Sequence, residues 1–180
     1  MLALLIVLAA GWYLLPAGYN TLVLWLAPQL GNYVRPTFVM VNAMLVNPLN
    51  NPVMVAVWAG AGLVGGMMAG TKGGAVVVAI FTWLSCLLIL AYCVIQLVIG
   101  GINLGTIPPI PPGESLTSVL GIPLVQSAIT DLIPLIAGGG GGGMPDLQSI
   151  IMPFVIYLLV PVIVITVTAI IGSIIRPKEK

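Results

Sequence analysis

The chain has no histidine, and only 5% of its 180 residues carry a charge. Without histidine the commonest metal and haem ligand is missing, together with the usual acid and base at neutral pH. Soluble domains carry roughly 25% charged residues, so a surface this poor in charge cannot be coated for water. The formal net charge is +1, which leaves no basic surface able to neutralise a run of phosphates, and nucleic-acid binding is excluded as a reading. Two cysteines, Cys86 and Cys93, are too few to hold a zinc ion or an iron–sulfur cluster within the chain. They lie about 10 Å apart along one helix face, too far to bond to each other, and are expected as buried thiols. No cofactor is implied.

What is present is apolar length. Hydrophobic residues make up 60% of the chain, and crossing a bilayer takes about 20 of them in a helix. Four stretches qualify: Leu2–Leu30, Val53–Thr71, Ala75–Ile99 and Ile150–Ile175. The first is interrupted by Pro16, Gly18, Asn20 and Pro28, and is expected as one kinked span. A cleaved secretory signal is the rival for that segment, with Pro16–Gly18 as a mimic of its cleavage region, but no Lys or Arg precedes the apolar run and retention is expected. The predicted fold is an all-α membrane bundle of four transmembrane helices, a single domain over residues 1–180 with an external Pro/Gly-rich segment over residues 100–149.

Orientation follows the basic residues, because short loops rich in Lys and Arg stay in the cytoplasm. Lys72 separates the second and third spans, and Arg176, Lys178 and Lys180 follow the fourth, whereas Gly100–Ser149 carries Glu114, Asp131 and Asp146 and no base. Both termini are therefore expected on the cytoplasmic face of the cell membrane. Gly31–Pro52 is then external, and Arg35 is the one basic residue on the wrong side.

Gly62, Gly66 and Gly70 recur every fourth residue and are expected to form a helix-packing stripe, since small residues let another backbone approach closely in lipid. Lys72, Gly73 and Gly74 read as a cytoplasmic hairpin turn, with the two glycines supplying positive φ and Lys72 reaching the phosphate layer. A phosphate loop is disfavoured, because the P-loop spacing and its preceding strand are missing.

The external segment holds "TIPPIPPGESL", Thr106–Leu116, expected as an extended spacer. Pro123–Ile136 has helical period: Leu124, Val125, Ala128, Ile129, Leu132, Leu135 and Ile136 share one side, and Ser127, Thr130, Asp131 and Pro134 the other. This amphipathic helix is expected along the outer membrane surface or as a cap on the bundle. Gly138–Gly143 reads as a hinge, Pro145 and Asp146 as the start of the last span, and Pro153 and Pro161 as bends within it.

No span has Lys, Arg, Asp or Glu in its interior, and Thr82, Ser85, Gln96, Thr166 and Thr168 are expected as interhelical hydrogen-bonding groups. No acid pair or activated nucleophile stands out at helical spacing, so no enzyme activity is expected. The leading functional expectation is a non-catalytic accessory subunit of a larger membrane-protein complex, with the bilayer and other subunits as partners. A homo-oligomeric pore using the glycine face as its subunit contact is the first alternative, and a hydrophobic filament or secretion-machinery subunit the second. Ile/Val-rich spans and the Lys/Glu tail suggest a prokaryotic source.

Overall fold

The computed structural model describes residues 1–100, 119–133 and 147–177, and these are helical with no strand among them. The expected Pro-rich spacer, glycine hinge and Lys178–Lys180 tail, like Leu135, Ile136, Pro145 and Asp146, lie outside the described residues. Among the described residues seven helices are delimited: α1 (Leu2–Tyr13), α2 (Ala17–Leu30), α3 (Val34–Met44), α4 (Pro52–Ala69), α5 (Lys72–Ile99), α6 (Pro123–Ser127) and α7 (Leu147–Ile175). A 3-10 turn at Pro48–Asn50 precedes α4, and α6 continues as a π-helical turn over Ala128–Leu132.

Among the described residues three helices are by themselves long and apolar enough to cross a membrane: Pro52–Ala69, Lys72–Ile99 and Ile151–Ile175. They pack side by side, and α4 against α7 is the most extensive pairing among the described elements. Ala61, Ala75, Ala79, Cys86, Ile165 and Ala169 are buried between them. Small side chains at these seams let the helix axes close up.

The expected single kinked span over Leu2–Leu30 is instead two helices, α1 and α2, meeting at 81°. Pro16 is the physical cause. It caps α2 at φ −54°, ψ 144°, an extended backbone that cannot continue α1, and its ring excludes Leu15 from the helical region. The described residues therefore hold three candidate spans, or four if this bent pair counts as one.

Gly31–Pro52, expected as an external connection, contains α3, which packs against α1, α2 and α5 and buries Val39, Met40, Ala43 and Met44 in the core. Trp58, on α4 and itself fully buried, donates its indole N–H to the Ala43 carbonyl at 2.9 Å. That bond takes up a backbone acceptor in the last turn of α3, which has no helical donor of its own. Trp83 on α5 similarly donates to the Leu158 carbonyl at 3.0 Å, one turn before Pro161 in α7.

The helix ends are specified locally. Asn51 caps α4 by accepting from the Met54 N–H, with Pro52 at the first helical position. Gly70 ends α4 at φ 65°, ψ 1°, and Thr71 caps α5 by accepting from the Gly74 N–H at 3.2 Å. Thus α4 and α5 are joined by a reversal only two residues long.

Candidate functional site: the asparagine end of the bundle

The polar side chains of the fold concentrate at the end of the bundle where α4 begins. Asn42 is a buried hub there. Its amide oxygen accepts from Tyr19 Oη at 3.0 Å and from Asn51 Nδ2 at 3.1 Å, and Asn51 Nδ2 also reaches the Asn42 carbonyl at 2.8 Å. Tyr19 Oη in turn accepts from the Leu124 N–H at 3.3 Å, so one phenol links α2, α3 and the start of α6. Burying three polar side chains is tolerable because each has a partner.

A second set of bonds radiates from Asn47, the cap of the 3-10 turn. Its Oδ1 accepts from the Leu49 N–H at 3.0 Å, its backbone N–H donates to Ser127 Oγ at 3.2 Å, and its Nδ2 donates to Asp131 Oδ2 at 3.0 Å. Asn50 Nδ2 also reaches Ser127 Oγ at 3.1 Å, and Ser127 Oγ donates to the Pro123 carbonyl at 2.8 Å. From α7, Tyr157 Oη donates to Asp131 Oδ2 at 2.6 Å. Burial pushes the Asp131 pKa up, but hydrogen bonds from Tyr157, Asn47 and Thr130 outweigh it and hold the carboxylate below its ordinary value.

Ser127 faces inward and is buried, Asp131 is half-buried, and Ile129 and Ile133 are exposed. Thr130, on the same side as Ser127, is exposed, and Leu124, Val125 and Ala128 on the apolar side are partly buried, so both sides contribute to the contact with the bundle. Ser127 and Asp131 are four residues apart and so share a helix face, and both reach the Asn47 loop.

Between α3, α4 and α7 lies a cavity of about 20 Å³ lined by Asn42, Asn51, Trp58, Tyr157 and Pro161 among others. It has room for about one water. Pro161 has no N–H to offer the Tyr157 carbonyl four residues earlier, so an acceptor at this wall lacks its helical donor. No group of three or more metal-ligating side chains gathers among the described residues.

The residues singled out from the sequence fall into two groups. Gly62 and Gly66 face α7: a Cβ on Gly62 would meet the Ile165 Cα at 3.1 Å, and one on Gly66 the Ala169 Cα at 2.7 Å. Gly172 on α7 approaches Leu63 and Met67 in the same way, its Cβ position lying 3.0 Å from the Met67 N. Gly70 departs from the stripe, because it forms the left-handed turn. Gly73 and Gly74 do not supply positive φ, which among the described residues occurs only at Gly31 and Gly70. They lie in the first turn of α5, behind Lys72, which is its exposed first residue.

Thr82, Ser85 and Thr168 also differ from expectation. Each donates to a carbonyl four residues back in its own helix, at 2.8, 2.7 and 2.8 Å, which satisfies the hydroxyl without a neighbouring helix. Cys86 and Cys93 are free and buried. No protein-family model, curated protein or solved structure matches this chain.

Proposed function

We propose that this chain is a non-catalytic structural subunit of a larger integral-membrane assembly, held in the bilayer by four spans with the bent α1–α2 pair counted as one. The observation that carries this reading is the way its polar groups are committed to each other. Asp131, the one acid among the described residues, is taken up by Tyr157 and Asn47, Ser127 is bonded to Asn47 and Asn50 in the same set, and Asn42 and Asn51 are bonded to each other. Chemistry that elsewhere would act on a ligand here fixes helices.

Placement in a membrane is supported by dimensions. Tyr92 lies about 30 Å along α5 from Lys72, close to the hydrocarbon thickness of a bilayer. Its ring meets that of Tyr33 at 5.9 Å, and both are exposed, as expected of an aromatic belt at the interface. Met1 and Leu2 lie beside Met68 and Ala69, and Arg176 lies beside Gly70. Both ends of the bundle's chain thus neighbour the Lys72 turn, which supports a cytoplasmic location for that end under the positive-inside rule.

The pore alternative loses its subunit contact, because Gly62 and Gly66 are occupied by α7 of the same chain. The filament alternative keeps only the α4–α5 hairpin with Lys72 at its turn. Purification from the source membrane in mild detergent, with mass spectrometry of what accompanies the chain, tests the proposal. Stoichiometric association with other membrane subunits is expected. A pure homo-oligomer that conducts ions in a bilayer would replace this reading with a pore.

A further inference from the structure

We propose that the cavity where α4 and α7 end beside each other holds the headgroup of a phospholipid carrying a primary ammonium, with Arg176 on its phosphate and the last carbonyls of α4 on its ammonium. This inference rests on the membrane reading above, which puts the Lys72 end of the bundle at a membrane face. The cavity measures about 300 Å³, is open to the surroundings and is lined by Met67, Met68, Gly70, Arg176 and Pro177. That volume is at the small end of the range for ligand pockets.

The fold brings both signs of charge to this place. Gly62 and Gly66 on α4 pack against Ile165 and Ala169, and Gly172 on α7 packs against Leu63 and Met67. The two helices therefore run parallel, and their negative poles come out side by side. Of the final carbonyls of α4, that of Gly66 accepts from the Gly70 N–H at 3.0 Å. Those of Met67, Met68 and Ala69 have no backbone donor among the described residues, because the left-handed Gly70 turns the chain away from the helix. Pro177 likewise has no N–H to offer the Ser173 carbonyl four residues earlier. Arg176 supplies the opposite sign. It is exposed, and its backbone N–H is fixed on the Gly172 carbonyl at 3.2 Å. Asp131, the one acid among the described residues, is held at the far end of the bundle by Tyr157 and Asn47 and does not neutralise it.

These neighbours select the ligand. A bare metal cation drawn to the carbonyls would be repelled by the guanidinium, and a bare phosphate drawn to the guanidinium would face the negative ends of two helices. A headgroup with a phosphate and an ammonium a few bonds apart answers both. The guanidinium matches the phosphate through two parallel hydrogen bonds, and a primary ammonium has N–H donors for the unpaired carbonyls. A quaternary ammonium has no such donor, and a glycerol headgroup has no positive charge. Met67 and Met68 give the cavity an apolar wall, and Met68 is exposed, so the lipid's chains continue along it into the bilayer.

The test supplies the full chain in detergent with equal amounts of phosphatidylethanolamine, phosphatidylcholine and phosphatidylglycerol, and native mass spectrometry reads which is retained. Retention of phosphatidylethanolamine several-fold above the other two is expected, falling to the phosphatidylcholine level in Arg176→Gln. Lys72→Gln, which removes a charge from the same end but not from the cavity lining, should leave the preference in place. Arg176→Lys, which keeps the charge and loses the fork, should retain an intermediate amount, and it decides the matter if Arg176→Gln does not fold. Phosphatidylglycerol held as well as phosphatidylethanolamine overturns the inference, since the carbonyls would then play no part. An equal loss in Lys72→Gln and Arg176→Gln also overturns it, and so does complete displacement of the lipid by glycerophosphoethanolamine at equal concentration, which would mark a site for the free headgroup. Flotation of the wild-type chain with liposomes after alkaline washing separates the two levels of claim. A chain that washes off loses the membrane reading itself, whereas one that floats without lipid preference loses only the Arg176 site.

Discussion

Tyr157 Oη and Asp131 Oδ2 are 2.6 Å apart, and through that contact the long helix α7 holds the short helix α6 on the bundle. The carboxylate oxygen is shared with Asn47 Nδ2, which belongs to the turn before α4. One atom of Asp131 therefore ties together three parts of the chain that are distant in sequence. A charged acceptor makes stronger hydrogen bonds than a neutral one, which is why a single carboxylate suffices.

Removing the phenol should expose this dependence. Tyr157→Phe takes one of the donors from Asp131 and is expected to cost about 1 kcal/mol near neutral pH, the scale of a hydrogen bond to a half-buried charge. Because the folded-state pKa of Asp131 is lowered, the stabilisation is complete above the unfolded carboxylate value of about 3.9 and is lost as pH falls through the lower folded value. Thermal unfolding in detergent should show a wild-type advantage that is constant at neutral pH and closes in acid. An advantage that grew on acidification would contradict the assignment.

Gly62 and Gly66 should tolerate no side chain. Gly66→Ala drives a methyl group into the Ala169 backbone, against a Cα only 2.7 Å away, and backbone cannot swing aside as a side chain can. The expected loss is about 1–3 kcal/mol, as for overpacked cores. Gly60 is the control, exposed on the same helix with nothing within 4 Å of its Cβ position, and Gly60→Ala should be neutral or slightly stabilising. Equal behaviour of the two variants in a denaturation series would remove the α4–α7 seam as the reason for the stripe.

The α4–α5 turn makes a sharper distinction among neighbouring glycines. Gly70 is at φ 65°, where an L side chain costs about 1 kcal/mol or more, so Gly70→Ala should destabilise. Gly73 has helical backbone and open space around its Cβ position, so Gly73→Ala should be neutral or stabilising. Melting temperatures of the two single variants in one detergent decide this, and a larger loss at Gly73 would contradict the turn as described.

The three long helices were legible because uninterrupted apolar runs have few other fates. Expected spans at Val53–Thr71 and Ala75–Ile99 fall within two or three residues of α4 and α5 at every boundary. The elbow at Pro16 was visible as a break but its 81° angle was not, since a proline fixes where a helix stops and leaves the next direction to tertiary packing. Helix α3 was hidden for a related reason. Arg35, Pro36 and Asn42 break its apolar pattern, yet Asn42 is buried because Tyr19 and Asn51 bond to it from other elements. Gly70 and Gly73 illustrate the same limit at short range: a glycine cluster announces a turn, and only the helix ends say which residue takes the left-handed conformation. The polar side of α6 could have been paired with Asn47 and Asn50, an asparagine-rich stretch beside Pro48, but no spacing rule connects segments so far apart.

Sidedness is the last expectation, and it follows from which groups share an end of the bundle. Gly73 sits beside Lys72 and is exposed, while Leu49, 88% exposed, lies at the opposite end next to the Asn47 network. With Cys86 and Cys93 replaced so that no native thiol reacts, Gly73→Cys should be shielded from an impermeant thiol reagent applied to intact cells, and Leu49→Cys should be labelled. Permeabilising the cells should make Gly73→Cys reactive, which separates shielding by the membrane from burial in the fold. The reverse pattern would put Lys72 outside, against the tendency of basic turns to remain in the cytoplasm, and would place Arg35 at the inner leaflet instead of the outer one.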